Sequence, residues 1–137
     1  MSKIIDLNDI LKTEATFTYK DKEYVFKFDD ASDRALQEVW IKATAYATEL
    51  SKDEGELDKK PVEEQVNALT DAMDKQHQIV MEYFVSQIGK TKAETLYKDL
   101  GKSTNGLMFV LGLVKRESDK AIEDAQEATY PEFDGND

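Results

Sequence analysis

Two short segments near the start of the chain constrain its fold more than any other feature. Ala15 to Tyr19 and Tyr24 to Phe28 each place an aromatic or small apolar residue at every second position. Because strand side chains alternate between two faces, a hairpin built from these segments has one apolar face and one polar face. We expect the apolar face to pack on the first helix, since a lone two-stranded hairpin is only marginally stable.

The predicted register of this hairpin follows from its aromatic residues, with Asp21-Lys22 as the loop. Cross-strand aromatic pairs each favour their register by roughly 0.2 to 1 kcal/mol. The predicted pairs on the apolar face are Phe17 with Phe26, Tyr19 with Tyr24 and Ala15 with Phe28.

Beyond residue 29 the apolar residues recur every three to four positions, as on the buried face of a helix. Four helices are predicted: Ser32 to Leu50, Pro61 to Gly89, Thr91 to Gly101, and one from about Ser103 to about Glu127. Thr91 and Glu94 match a capping box, and Gly101 is a natural helix stop. The second helix carries one long apolar stripe that we expect to be buried: Val62, Val66, Leu69, Met73, Val80, Phe84 and Ile88.

This pattern predicts a mainly α (α+β) fold, in which an N-terminal β-hairpin packs on a bundle of about four helices. The predicted organisation is an N-terminal segment, 1–13, a single hairpin-plus-helices domain, 14–127, and a disordered acidic tail, 128–137. Between the first two helices, Ser51 to Lys60 is rich in charge and reads as a solvated loop.

Charge and cysteine content exclude several classes of function. Eighteen basic and 29 acidic residues give a net charge of −11, which disfavours nucleic acid or an anionic membrane as a partner. The chain has no cysteine, which excludes disulfides and thiol chemistry. The first residues lack a basic leader followed by an apolar core, and the longest apolar run is far too short for a membrane span. We therefore expect a soluble protein.

The residues that suggest catalysis or ligand binding are better explained structurally, and we predict no enzyme, no cofactor and no metal. Gly89-Lys90-Thr91 and Gly101-Lys102-Ser103 end like phosphate-binding loops, but each follows a helix and lacks the earlier glycine. His77 is the only histidine, and we expect it to be partly buried in the second helix. The acidic stretch from Asp53 to Asp58 lacks the central glycine of a calcium loop.

The fourth helix carries apolar residues on more than one side. Phe109 and Leu113 project away from four other apolar residues of the helix, because successive residues advance by 100°: Leu107, Val110, Leu111 and Val114. Either this helix is central and covered all round, or Phe109 and Leu113 lie on a surface that meets another chain. The predicted partner interface consists of Phe109, Leu113, Met108 and Val25.

The second strand of the hairpin, which runs directly into an amphipathic helix and an acidic helical body, carries a family resemblance. It reads Lys22-Glu23-Tyr24-Val25-Phe26-Lys27-Phe28-Asp29. In this order of elements, over about residues 14 to 126, the chain resembles the tail assembly chaperones of long-tailed bacteriophages of Gram-positive hosts. The resemblance implies a non-virion protein of the host cytoplasm that forms homo-oligomers around the tape-measure protein. It further implies that the protein keeps the long apolar helices of its client soluble and helps recruit tail tube subunits.

Two other classes remain open from the sequence. One is a structural phage tail or head-completion protein that is retained in the virion. The other is an enzyme, which ranks last because no nucleophile, base and stabilising group can be assembled from these residues. A frameshift signal near the codons of Tyr130 to Asp137 would favour the chaperone, because that family often makes a longer product in this way.

Overall fold

A two-stranded antiparallel hairpin and four helices make up the part of the chain that the structure describes. This computed structural model describes residues 3–52 and 59–129, with side chains for 3–46 and 59–127. The strands are β1 (Glu14–Tyr19) and β2 (Lys22–Lys27), and a short 3-10 turn, Leu7–Asp9, precedes them. The helices are α1 (Asp30–Lys52), α2 (Val62–Ile88), α3 (Lys90–Asp99) and α4 (Thr104–Thr129). The predicted α+β fold class is confirmed.

The register of the hairpin differs from the predicted one by two residues. Phe17 faces Tyr24, and Ala15 faces Phe26. The loop is Lys20-Asp21, whose φ angles of 48° and 62° suit the type I′ turn that matches strand twist. The direct pairs predicted from the aromatic residues were therefore wrong. Because the shift is an even number of residues, the same side chains still share the apolar face.

The hairpin packs on α2, whereas the sequence predicted the first helix. Phe26 is fully buried, and its ring meets that of Phe84 edge to face at 5.8 Å between centroids. Phe17, diagonal to Phe26 on the sheet, meets it in the same way at 5.7 Å. Helix α1 itself packs along α2, which leaves α2 as the principal helix that receives β2.

Side-chain and glycine caps fix several helix ends close to the predicted positions. The backbone N–H of Ser32 donates to the Asp29 carboxylate at 2.8 Å, so Asp29 caps α1. Gly106 N–H donates to the Ser103 hydroxyl at 3.0 Å at the start of α4. Gly101 ends α3 with φ 77°. The Lys102 N–H then donates to the Tyr97 carbonyl at 2.9 Å, which is the long bond of a Schellman motif.

Two predicted helix starts were wrong in detail. Pro61 is the residue that precedes α2, with ψ 146°, and is not its first helical residue. Helix α3 begins at Lys90 directly after Gly89, with no side-chain cap, so Thr91 and Glu94 do not form a capping box. The φ of 87° at Gly89 lets the chain pass from one helix to the next without a loop that would need a polar cap.

The core lies where the hairpin, α3, the first half of α4 and the second half of α2 meet α1. Its buried hydrophobic residues are Tyr24, Phe26, Leu36, Val39, Ala43, Val80, Tyr83, Phe84, Ala93, Leu96, Leu107, Leu111 and Val114. From the predicted α2 stripe, only Val80 and Phe84 are buried and Ile88 packs against the core. The first four residues of that stripe are exposed, which corrects the expectation of a stripe buried along its whole length.

Parts of the two predicted flexible regions lie outside the described residues. Helix α1 extends to Lys52, and residues 53–58, including the acidic stretch, are not among those described. Helix α4 continues to Thr129, so the first two residues of the predicted tail are helical, and 130–137 lie outside. Within 3–52 and 59–129, no helix has the length and apolar character that crossing a membrane requires.

Candidate protein-binding surfaces

An apolar groove of about 200 Å³ opens beside the hairpin, between β1, α3 and α4. We call it the hairpin groove. Its walls carry aromatic and aliphatic side chains almost throughout. The lining residues are Phe17, Thr18, Tyr19, Tyr24, Phe26, Leu96, Leu100, Phe109, Val110 and Leu113.

Two lysines in the hairpin fix one end of this groove. The Lys22 ammonium forms an ion pair with the Asp99 carboxylate at 2.6 Å, and Lys20 Nζ donates to the Asp99 carbonyl at 3.1 Å. The hydrogen bond from Lys22 lowers the pKa of Asp99, and the same bond raises the pKa of Lys22. The turn of the hairpin is thereby tied to the end of α3, which sets the distance between two walls of the groove.

Tyr24 gives the groove one unsatisfied polar group. Its side chain is only 2% exposed, and its hydroxyl has no hydrogen-bond partner among the described residues. Burial is the main cause of a raised pKa at Tyr24, so the hydroxyl remains a protonated donor. A buried donor without an acceptor costs roughly 1–3 kcal/mol.

The structure brings together two of the four residues of the predicted interface. Phe109 is 69% exposed at the groove, and the half-buried Leu113 lines it one helical turn further on. Val110, which we had assigned to the opposite side of the helix, lines the groove with them. The alternative in which the domain covers Phe109 is therefore wrong.

Met108 and Val25 are not part of the groove lining. Met108 is half-buried and packs against the core. Val25 is half-buried and pairs with Thr16 on the other face of the hairpin, because it lies between Tyr24 and Phe26 in a strand of period two.

A second apolar surface lies on the first half of α2, and we call it the α2 stripe. Its members are Val62, Val66, Leu69 and Met73, which are 45% to 74% exposed. Their spacing of four, three and four residues is the one with which two helices meet along a seam. The sequence shows the stripe but not its exposure. The available signal was length, since the 27 residues of α2 span about 40 Å, more than the diameter of a small domain.

His77 joins three helices, in keeping with the prediction of a partly buried structural residue. Its Nδ1 lies 2.9 Å from the Thr104 hydroxyl of α4, and its ring lies 4.8 Å from the ring of Tyr97 in α3. The glycines at 89 and 101 both end helices, as predicted. In the described ranges, no cluster of three or more His, Asp or Glu side chains has the geometry to hold a metal ion.

Comparison with known proteins gives no match, either to a family model, to a curated protein or to a solved structure. The two apolar surfaces and the charge of the chain are thus the observations from which a function can be inferred.

Proposed function

We propose that this protein is a non-catalytic tail assembly chaperone that self-associates and holds an apolar helical client in the cytoplasm of a bacterial host. The proposed client is the tape-measure protein of a long-tailed bacteriophage, and tail tube subunits are further partners. The observation that carries the proposal is the α2 stripe, an exposed apolar helix surface with the spacing of a helix–helix seam.

The free energy available from the α2 stripe is large enough for reversible binding. Fully burying one Val, Leu or Met side chain stabilises a complex by roughly 1.5–3 kcal/mol. All four members begin about half exposed or more, and a helical client that covered them would gain several kcal/mol before the cost of association. Such a range suits a chaperone, which must release its client.

Charge supports the same function. The net charge of −11 keeps a chain with exposed apolar surfaces soluble and repels other acidic proteins. Of the acidic residues in this half of α2, Glu63 lies nearest the α2 stripe, whereas Glu64 and Asp71 lie on the opposite side of the helix. A client helix with basic residues beside its apolar face would complement this surface.

The choice of client rests on the resemblance to the phage chaperones, and co-expression tests it. We expect the wild-type protein to raise the soluble fraction of the tape-measure protein encoded near it. The variant with both Val66→Ser and Leu69→Ser should lose this effect while keeping its helical circular dichroism. The matched control, Asn67→Ser with Thr70→Ser, changes two exposed polar residues of the same helix and should act like wild type.

Two outcomes would contradict the proposal. A wild-type protein that leaves the client insoluble would rule out the chaperone function. Recovery of the protein in stoichiometric amounts from finished particles, measured by mass spectrometry, would favour the structural tail or head-completion role instead.

A further inference from the structure

We propose that the hairpin groove binds the N-terminal arm, residues 3–13, of a second copy of this chain. The inference rests on the self-association in the proposed function and names the surfaces that produce it. It does not depend on which client the protein holds.

The N-terminal arm exposes several large aliphatic side chains. Ile4 is 93% exposed, and Ile5, Leu7 and Leu11 are also exposed. Hydrogen bonds nevertheless hold the middle and the C-terminal end of the arm. Asn8 N–H donates to the Asp6 carboxylate at 3.0 Å in its 3-10 turn, and Phe28 N–H donates to the Thr13 carbonyl at 2.8 Å. The arm thus leaves the sheet in a defined place, and of its aliphatic side chains only Ile10 is half-buried while the other four are exposed.

The groove has the complementary chemistry. Its lining is apolar, so it accepts aliphatic side chains and excludes charged or heavily hydrated ligands. The aliphatic side chains of the arm meet this requirement.

The free edge of the hairpin gives a docked arm further hydrogen bonds. Among the described residues, β1 pairs only with β2, so its outer backbone groups have no strand beside them. Thr18 of β1 lines the groove together with Phe17, which places this strand at the groove wall. An extended peptide that adds to a sheet edge gains main-chain hydrogen bonds while alternate side chains enter the adjoining pocket.

Charge favours the arm as the part of a second copy that approaches. The whole chain carries −11, so two copies repel each other. Residues 3–13 contain two lysines, Lys3 and Lys12, and two aspartates, Asp6 and Asp9, so the arm is formally neutral. The arm therefore enters the groove of an acidic partner without the repulsion that the rest of the chain would meet.

The arm and the groove are different surfaces, so the contact between two copies is heterologous. Copies joined in this way add head to tail and form a ring or an open filament, unless two copies exchange arms reciprocally. This arrangement leaves the α2 stripe of every copy free for the client.

Complementation between two variants tests the inference. The arm variant carries Ile4→Ser and Ile5→Ser, and the groove variant carries Phe109→Ser. Both sites are exposed, so both variants should keep the wild-type circular dichroism. By light scattering, wild type should be oligomeric and each variant alone monomeric. An equimolar mixture should form 1:1 dimers, because an intact arm meets an intact groove only across the two variants. The control variant Asn67→Ser changes an exposed polar residue of α2, outside the arm and the groove, and should assemble like wild type.

A labelled peptide of residues 3–13 measures the contact directly. We expect it to bind the arm variant saturably by fluorescence anisotropy, with at least about a tenfold loss of affinity when Phe109→Ser is added.

Different failures separate the two proposals. If wild type is oligomeric and the arm variant assembles equally well, this inference is wrong while self-association stands. If wild type is monomeric but the peptide binds the arm variant, the arm docks within its own chain and the second-copy inference is wrong. If wild type is monomeric and the peptide does not bind, both the inference and the proposed self-association fail.

Discussion

The two halves of α2 carry the same apolar repeat but meet different surroundings. In the second half, Val80 and Phe84 are completely buried against the hairpin and neighbouring helices. In the first half, Val62 and Leu69 continue the same stripe and remain exposed. Periodicity therefore identifies the apolar face of a helix, but whether that face is covered depends on how far the rest of the domain extends along it.

The two halves of α2 differ in exposure because they have different neighbours. The closed half receives the aromatic face of the hairpin and the core residues of α3 and α4, which lie near it in space. The open half follows Pro61, where no side chain caps the helix. Its stability must come from the rest of the helix and from α1, because isolated helical turns are marginal in water.

Amide hydrogen exchange should show the largest difference between the two halves. Residues 80–88 are expected to exchange only by global unfolding, which costs roughly 5–15 kcal/mol in a typical domain. Residues 63–72 should open locally and therefore exchange faster. A difference of about 4 kcal/mol in the free energy of opening corresponds to about a thousandfold difference in exchange rate. Equal protection along α2, measured by NMR, would show that the open half is covered in solution.

Truncating one apolar side chain in each half of α2 should show the same contrast as a difference in the free energy of unfolding. Phe84→Ala should lower the free energy of unfolding by about 3–5 kcal/mol, because it opens a cavity among packed rings. Leu69→Ala should change it by about 1 kcal/mol, because nearly half of its side chain is already exposed. Urea unfolding measures both values. A large loss at Leu69 in the monomer would contradict its exposure.

Removing a helix cap tests whether the closed region depends on local hydrogen bonds as well as packing. Ser103→Ala leaves the Gly106 N–H without its side-chain acceptor and should cost about 1 kcal/mol. Thr70→Ala, an exposed change in the open half, is the control and should be nearly neutral. Thermal unfolding of the two variants under one buffer condition compares them. A neutral effect at Ser103 would mean that water replaces the cap.

A buried polar contact of the closed region should give the smallest effect, and it depends on pH. The Ser118 hydroxyl donates to the Asp33 carboxylate at 3.2 Å, and burial is the main cause of a raised pKa at Asp33. Ionisation of Asp33 therefore opposes folding. The protonated Asp33 carboxyl therefore favours the folded state. This contribution to the free energy of unfolding is complete below the unfolded pKa of 3.8 and is lost as pH rises through the higher folded pKa.

The corresponding variant is Asp33→Asn, which cannot ionise. Relative to wild type it should be more stable at pH 7, by about 0.5 kcal/mol or less because the carboxylate is partly hydrated, and the gain should vanish near pH 3. Urea titrations at the two pH values measure this difference. A gain that persists at pH 3 would assign the effect to packing and not to charge.

The sequence predicted the elements well, and the contacts between them poorly. Alternation placed Phe17 and Tyr24 on one face correctly, because strand geometry is local. The predicted register was wrong because the observed one depends on positive φ angles at Lys20 and Asp21. Neither residue type indicates such a turn as strongly as glycine or asparagine does. The conformation of the loop, and not the pairing of aromatic residues, therefore sets the register of the hairpin.

The exposed apolar surfaces were predictable only in part. Helical spacing singled out Phe109 and Leu113, and both line the hairpin groove. The groove itself needs the hairpin, α3 and α4 together, and the unpaired hydroxyl of Tyr24 appears only once these elements pack. Such features arise from contacts between distant parts of the chain, and no local pattern encodes them.

The hairpin is synthesised before the residues that support it in the folded structure. The strands leave the ribosome first, but their supports come later, Phe84 for the aromatic face and Asp99 for the lysines of the turn. At the usual rate of 5–20 residues per second, the hairpin waits roughly 4–14 seconds after Phe28 is made before Asp99 follows. Until Phe84 is made, a marginally stable hairpin has an uncovered aromatic face, so the nascent chain is most vulnerable to aggregation or to capture by cellular chaperones before α2 is complete.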